Sequence, residues 1–382
     1  MSPRFEVAII GLGAMGSAAA YHLVRRGRRV LGLDRFAPPH TMGSSHGQTR
    51  IIREAYFEHP QYVPIVQHAY TCWARLEEES GERLFEQTGG LAIGRPDSGV
   101  VAGARASVER HRLPYEELSA AEVHRRCPAL QLEEDMVALL EPRAGMLFPE
   151  RCVEAHLRLA AARGATLRTN ETVTAWQPSQ DEVTIETTSG RYTADRLVIA
   201  AGAWLPTLVP DLALPLAIER AIVHWFDPGE HAVRFVPERL PVFIFEYAAG
   251  LKFYGFPARP EGVKVARHHQ GELTEAARVR RDVAPEEVAA MRSLLARFLP
   301  DLHGAWRGSS VCLYTNTPDD DFIIDAHPEH PQVLIVSPCS GHGFKFSSAI
   351  GEIVADLVTD GRSGFDLTPF RLSRFARALP QT

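Results

Sequence analysis

Apolar residues run together from Val7 to Ile10 as a short buried strand and stop at a glycine turn. From about Ala14 to Arg26 they recur at helical spacing, Gly27 caps the segment, and Val30 to Asp34 makes a second strand. The loop APPHTMGSSHGQTR follows, then a helical stretch from Tyr62 to Glu78. Residues 151–163 predict an amphipathic helix closed by Gly164. The runs ATLRTNETVTAW, VTIETTSG and RLVIAAG predict a small hairpin feeding a wholly buried strand. Residues 215–310 are dominated by the strand-like runs IVHWF, VFIFEY, LKFYGFP and GVKVARH, with one helix in PEEVAAMRSLLARFL. The tail VLIVSPCSGHGFKFSSAIGEIVADLV returns to strand, glycine turn and helix. No internal repeat or low-complexity tract interrupts this order.

The two ends thus predict one α/β domain of Rossmann type, assembled from residues 1–80, 145–215 and 310–382. A second, α+β domain with a mixed sheet, residues 81–144 and 216–309, is inserted between them. A chain of 382 residues with 45% hydrophobic content buries cores of this size.

Charge and cysteine content narrow the function classes. A formal net charge of -6 gives no basic excess for a phosphate backbone, so nucleic acid is not expected as a partner. No stretch of eighteen or more apolar residues occurs, and the N-terminus enters a strand pattern at once, so a soluble cytoplasmic protein without a membrane segment is expected. The five cysteines, Cys72, Cys127, Cys152, Cys312 and Cys339, are widely spaced with no CxxC pair, which argues against a disulfide framework or a metal site. Lysine is nearly absent: Lys252, Lys264 and Lys345 are the only three. An ammonium is compact and loses its proton when desolvated, which a guanidinium does not do. Two of the three lie in segments with other functional marks, and Lys252 is read as a surface residue.

Gly11, Gly13 and Gly16 form a GxGxxG turn between the first strand and its helix, and Asp34 ends the next strand. Glycines there permit a tight turn and close approach of backbone to a pyrophosphate, which the helix N-terminus attracts, while the acid takes the ribose hydroxyls. Ala14 and Met15 open that helix, and Arg35 follows the acid. The unit predicts a dinucleotide without separating FAD from NAD. Two further turns tilt the choice to FAD: LVIAAGAW, containing Gly202, and SGHGFKFSS, which sets Gly341 and Gly343 beside a helix start suited to the negative charge of a reduced flavin.

The segments GLGAMG, PPHTMGSSHGQTRIIR, FYGFP, GVKVARH, VCLYTNTPDDDFIID and SGHGFKFSS, in this order from residue 7 to about 357, resemble the family of monomeric sarcosine oxidase and N-methyl-amino-acid oxidases. The resemblance implies a glutathione-reductase-like FAD domain joined to a mixed-sheet substrate domain, with the flavin at their interface. It implies a monomer that oxidises a secondary amine to an imine and passes the electrons to oxygen, giving hydrogen peroxide. Its partners are then a small amino acid and oxygen.

Residue by residue, the resemblance assigns Cys312 to a thioether with the flavin ring and Lys264 to the position where oxygen is activated. One residue fewer than in the family separates FYGFP from GVK, so this register rests on the flanking motifs. His268 corresponds to a histidine beside the amine, with His269 adjacent to it. Arg53 and Lys345 correspond to the pair that holds the substrate carboxylate, a task suited to a forked guanidinium and a point-charge ammonium. Thr49 and Arg50 lie near the reactive edge of the flavin, and Tyr254 and Tyr314 form aromatic walls. Ser44 and Val173 are expected beside the cofactor, and His342 beside flavin or substrate. The segment FIFEYAAGLK and the loop Tyr56 to His59 are expected to shape the substrate pocket.

Three alternatives stand beside this reading: a FAD-dependent amino acid dehydrogenase with another acceptor, an NAD-linked dehydrogenase, and a flavin-binding protein without turnover.

Overall fold

The computed structural model describes residues 4–375; the outermost residues of the expected nucleotide-binding segments, 1–3 and 376–382, lie outside the described residues. Three sheets organise the chain. In the first, the strand Arg4–Ile10 is central, flanked in parallel by Val30–Leu33 on one side and Arg191–Ile199 on the other. Its residues are hydrophobic on both faces, as a parallel strand covered by helices requires. Ala14–Arg25 and Ser347–Asp360 pack against each other over this sheet, so the first and last thirds of the chain share one core.

The predicted hairpin is present as Val173–Pro178 paired with Val183–Thr187. It feeds Arg191–Ile199, whose first half pairs antiparallel with the hairpin and whose second half pairs in parallel with Val333–Ser337. The run ATLRTNETVTAW divides: Thr166–Arg168 leaves the hairpin and pairs in parallel with Val30–Leu33. The helix expected from Tyr62 to Glu78 spans Val63–Ser80, after a single tight turn at Pro60–Tyr62.

The second sheet has nine strands, with Ala217–Phe226 as its organiser. That strand pairs along its whole length with Trp306–Asn316 and, at its far end, with Val263–His268. A division of the chain at residue 310 therefore cuts a strand: Cys312 and Tyr314 hang from the second sheet, and the tail joins the first sheet only afterwards. The third sheet is small, Arg50–Ile52, Gly145–Leu147 and Phe85–Gln87, and carries the glycine-rich loop from the first sheet toward the second. No helix of the described residues is long and apolar enough to cross a membrane.

Candidate active site

One cavity runs along the seam between the two large sheets. At one end it is lined by Gly11, Gly13, Ala14 and Met15, and by Asp34 and Arg35. Two of the three fingerprint glycines are required by close packing: a Cβ on Gly16 would stand 1.7 Å from the Gly11 carbonyl oxygen, and one on Gly11 would stand 2.4 Å from that of Ala200, whereas one on Gly13 would meet nothing nearer than the Ser45 hydroxyl at 3.6 Å. Gly16 itself does not line the cavity; it lets the helix start close under the turn. Gly13 has no side chain to cap the helix Ala14–Arg25; the Ala14 amide donates to the Ser45 hydroxyl at 3.2 Å, and the positive end of the helix dipole lies at the cavity wall. The Asp34 carboxylate accepts from the amides of Leu12 and Phe36, both at 2.8 Å, and stays at the cavity wall. Val173 and Gly202 close this end. An elongated cavity with an anion cradle and a carboxylate at one end fits FAD.

At the other end the lining changes to Ser44, Arg50, Tyr254, His268, Cys312 and Tyr314, and then to Gly341, His342, Gly343 and Lys345 from the tail. The Ser44 hydroxyl donates to the Leu313 carbonyl, tying the glycine-rich loop to the strand that carries Cys312. The guanidinium of Arg50 donates to the carbonyls of Thr49 and Ser44, at 2.8 and 2.7 Å, and lies 3.6 Å from the Cys312 sulfur. Burial raises the Cys312 thiol, but His46, Arg50 and Lys264 outweigh it and bring the group down to about 6. A thiol lowered by neighbouring cations in this way lies closer to its nucleophilic thiolate form than an ordinary buried cysteine does.

Lys264 and Thr49 are buried and do not line the cavity. They stand one layer behind it. The Lys264 ammonium donates to the carbonyls of Gly47 and Thr49, at 2.7 and 2.6 Å, and to the Thr49 hydroxyl at 3.0 Å. Burial pushes this lysine well below its ordinary value, and Arg50 pushes the same way. The acceptors oppose them: three oxygens match the three N–H bonds of an ammonium, whereas a neutral amine has only two to give.

Arg53 and Lys345 approach this end of the cavity from different elements. The Arg53 guanidinium donates to both carboxylate oxygens of Glu58 and to the Ala55 carbonyl, and lies between the rings of Tyr56 and Phe57, 4.4 and 4.2 Å from their centroids. Lys345 donates to the His342 carbonyl at 2.6 Å. Burial, then Arg53, lowers its ammonium to about 7, and Glu58 raises it. Burial raises Glu58, yet Arg53, His342 and Lys345 together hold it down at about 2. The His342 ring bonds the Tyr56 hydroxyl through Nδ1, and Phe57 and Glu58 line the cavity. Burial holds His268 neutral, well below the ordinary histidine value, with His269 and Lys252 acting in the same direction. Lys252, read as a surface residue, is half-buried, with its ammonium 5.6 Å from the centre of the Phe57 ring.

Glu58 lies in the loop expected at the pocket, whereas two other carboxylates of this region, Glu141 and Glu150, are not marked by the sequence. Glu58 pairs with Arg53. Glu141 accepts from the amides of Glu54 and Ala55, at 2.7 and 2.8 Å, and so fixes the turn after Arg53. Glu150 accepts from the amides of Gly47 and Gln48. The only sequence signal for Glu150 is an acid directly after a proline at a helix start, which reads as an ordinary helix opening.

Residues 6–357 match the family described as FAD dependent oxidoreductase. A monomeric sarcosine oxidase of Streptomyces avermitilis is 45% identical over 382 residues, covering 99% of this chain and 100% of that protein. The chain belongs to the monomeric sarcosine oxidase family of FAD-dependent oxidoreductases. An N-methyl-L-tryptophan oxidase of Salmonella arizonae is 37% identical and covers 98% of this chain and 100% of its own length. A solved L-proline dehydrogenase of P. horikoshii superposes with a TM-score of 0.85 at 21% identity, with 100% of both chains covered, a likeness of fold. FAD is therefore the cofactor of this sarcosine oxidase family member, and the NAD-linked reading falls.

Proposed function

We propose that the protein oxidises the secondary amine of a small N-methyl amino acid, sarcosine first among candidates, to an imine, with oxygen as acceptor and hydrogen peroxide as product. The observation that carries this reading is the pair of buried cations, Arg53 and Lys345, at the end of the cavity opposite Asp34. Two cations there suit the carboxylate of an amino acid zwitterion. The names of the relatives at 45% and 37% identity, a sarcosine oxidase and an N-methyl-L-tryptophan oxidase, point the same way.

The FAD held here would supply the chemistry: acceptance of a hydride equivalent from the carbon beside the amine and its return as electrons to oxygen. The chain's residues do the rest. Arg53 and Lys345 hold the carboxylate and so fix which carbon faces the ring, a gain of proximity. Tyr254, Tyr314 and neutral His268 exclude water from the amine, and the surrounding cations lower its pKa toward the neutral form that can be oxidised. Arg50 supplies positive charge where the ring gains electrons, with the Thr49 hydroxyl beside it. Lys264 would supply a fixed cation, one layer behind the cavity, that favours the reduction of oxygen.

Cys312 is proposed as the covalent anchor of the flavin. Cys312 would hold the flavin through a thioether, the thiol giving up its proton and the flavin a hydride equivalent, with oxygen as the oxidant. The lowered thiol pKa supports this. Five free cysteines support a reducing, cytoplasmic setting, and the name of the relative at 45% identity, monomeric sarcosine oxidase, supports a monomer.

Oxygen uptake and peroxide release, measured with sarcosine, N-methyl-L-tryptophan, proline and pipecolate, test the reading. Turnover with an N-methyl amino acid and one peroxide per oxygen supports it. Turnover only with an artificial electron acceptor supports the amino acid dehydrogenase alternative, for which the charge cradle around Lys264 has no use.

A further inference from the structure

Glu150 stands second in the helix Pro149–Ala162, which packs against the helix Ala14–Arg25, yet its carboxylate reaches out of the helix to the loop that carries Gly47 and Gln48. One oxygen accepts from the amides of Gly47 and Gln48, at 2.7 and 3.0 Å, and the other from Gln48 at 3.2 Å. Both loop residues have left-handed backbone, with φ of 92° at Gly47 and 71° at Gln48. A pair of successive amides turned to one side in this way is a backbone nest for an anion. Glutamine is strained in that conformation, so something must hold it there, and the carboxylate is the group in contact.

Turning the two amides toward Glu150 has a consequence on the opposite side of the loop. The carbonyls of Gly47 and Thr49 and the Thr49 hydroxyl point at Lys264 and supply all three of its acceptors. The charged and titratable groups facing that ammonium are Arg50 from the small sheet, Cys312 from the adjoining strand, and Glu150 from the helix; the Phe256 ring lies 4.5 Å away. His46, next to Gly47, faces Cys312. Arg50 opposes the ammonium, and Glu150 is the carboxylate in the set.

We infer that Glu150 is a positioning residue for oxygen reduction: it grips the Gly47–Gln48 nest, and through it aims the carbonyl cradle that keeps the Lys264 ammonium in place and charged. Its own negative charge favours the ammonium, in the direction opposite to burial and Arg50. The inference rests on the role proposed above for Lys264.

The scarcity of lysine makes the test direct. Protein labelled with carbon-13 at the lysine ε-carbon gives three side-chain signals, one for each of Lys252, Lys264 and Lys345, and Lys264→Met assigns the one of interest. In Glu150→Gln the Lys264 titration moves to lower pH and hydrogen exchange of the segment 43–50 speeds up. In the flavin-loaded enzyme, reoxidation of reduced flavin by oxygen falls about tenfold, the loss expected for one charge-assisted interaction, and reduction by sarcosine falls much less. An unchanged Lys264 titration together with unchanged exchange overturns the inference. If Lys264→Met itself leaves reoxidation unchanged, the reading of Lys264 fails, while the grip of Glu150 on the loop is still judged by the resonance and the exchange. Should Glu150→Gln not accumulate, Glu150→Asp keeps the charge but draws it back from the nest: faster exchange with slower reoxidation supports the inference, and exchange at the original rate overturns it.

Discussion

Arg53 and Glu58 form a two-pronged ion pair inside the substrate end of the cavity, with one guanidinium nitrogen 2.9 and 2.7 Å from the two carboxylate oxygens. The cation proposed to hold the substrate carboxylate already holds a carboxylate of the protein. An incoming anion either displaces Glu58 or shares the guanidinium with it. In Glu58→Gln the buried Arg53 loses its counter-charge, and breaking such a pair costs roughly 3 kcal/mol. The variant is expected to melt at a lower temperature and to recover on adding acetate more than the parent does. Thermal unfolding with and without acetate checks this; equal melting temperatures and equal acetate effects would contradict it.

Lys345 gives the site a pH dependence with a defined sign. Its ammonium loses its proton at about 7, mainly because it is buried and next because Arg53 is near. Below that pH both cations are charged; above it only Arg53 is. The dissociation constant of a small carboxylate inhibitor is therefore expected to be lowest below pH 7 and to rise through it. In Lys345→Met the rise through this range disappears and binding is weaker at low pH. Tighter binding with rising pH would contradict the assignment.

Two cysteines line the cavity, Cys312 and Cys339; Cys312 lies 3.6 Å from the Arg50 guanidinium and its thiol is lowered, whereas burial raises that of Cys339. Acid denaturation of the purified protein is expected to leave yellow colour with the polypeptide, and Cys312→Ser to release it into solution. Colour that stays with the Cys312→Ser chain would place the bond elsewhere.

Removal of the Lys264 charge separates the two halves of the reaction. Lys264→Met is expected to slow reoxidation by oxygen by about 10²- to 10³-fold, the scale of losing one preorganised electrostatic contact, and to leave anaerobic reduction by the amine far less affected. Rapid-mixing spectra of the two steps check it. Equal losses in both would indicate general damage to the site.

The parts of this fold legible in the sequence are those set by neighbours along the chain. Gly11, Gly13, Gly16 and Asp34 lie within one strand–helix–strand unit, where period and turn chemistry act locally, and the first sheet follows from them. Lys264 and Lys345 stood out through composition, because a chain that otherwise writes arginine kept them, and both are buried with all-oxygen partners. The carboxylates of Glu150 and Glu141 were not legible. Glu150 lies about a hundred residues from the amides it holds, and Glu141 nearly as far from Glu54. An acid at a helix start or a strand end has an ordinary local reading, and only tertiary packing turns it toward a distant loop. The boundary at residue 310 cuts a strand for a similar reason: the short apolar run Val311 to Tyr314 does not show which sheet it joins, and Ala217–Phe226 pairs with the whole of Trp306–Asn316.

The most direct test of the account is a single turnover followed by its spectrum. Sarcosine added without oxygen is expected to bleach the flavin, and admitting oxygen to restore the oxidised spectrum with one hydrogen peroxide per flavin. A flavin that no N-methyl or cyclic amino acid bleaches, or one that is bleached but stays reduced in air, would contradict it.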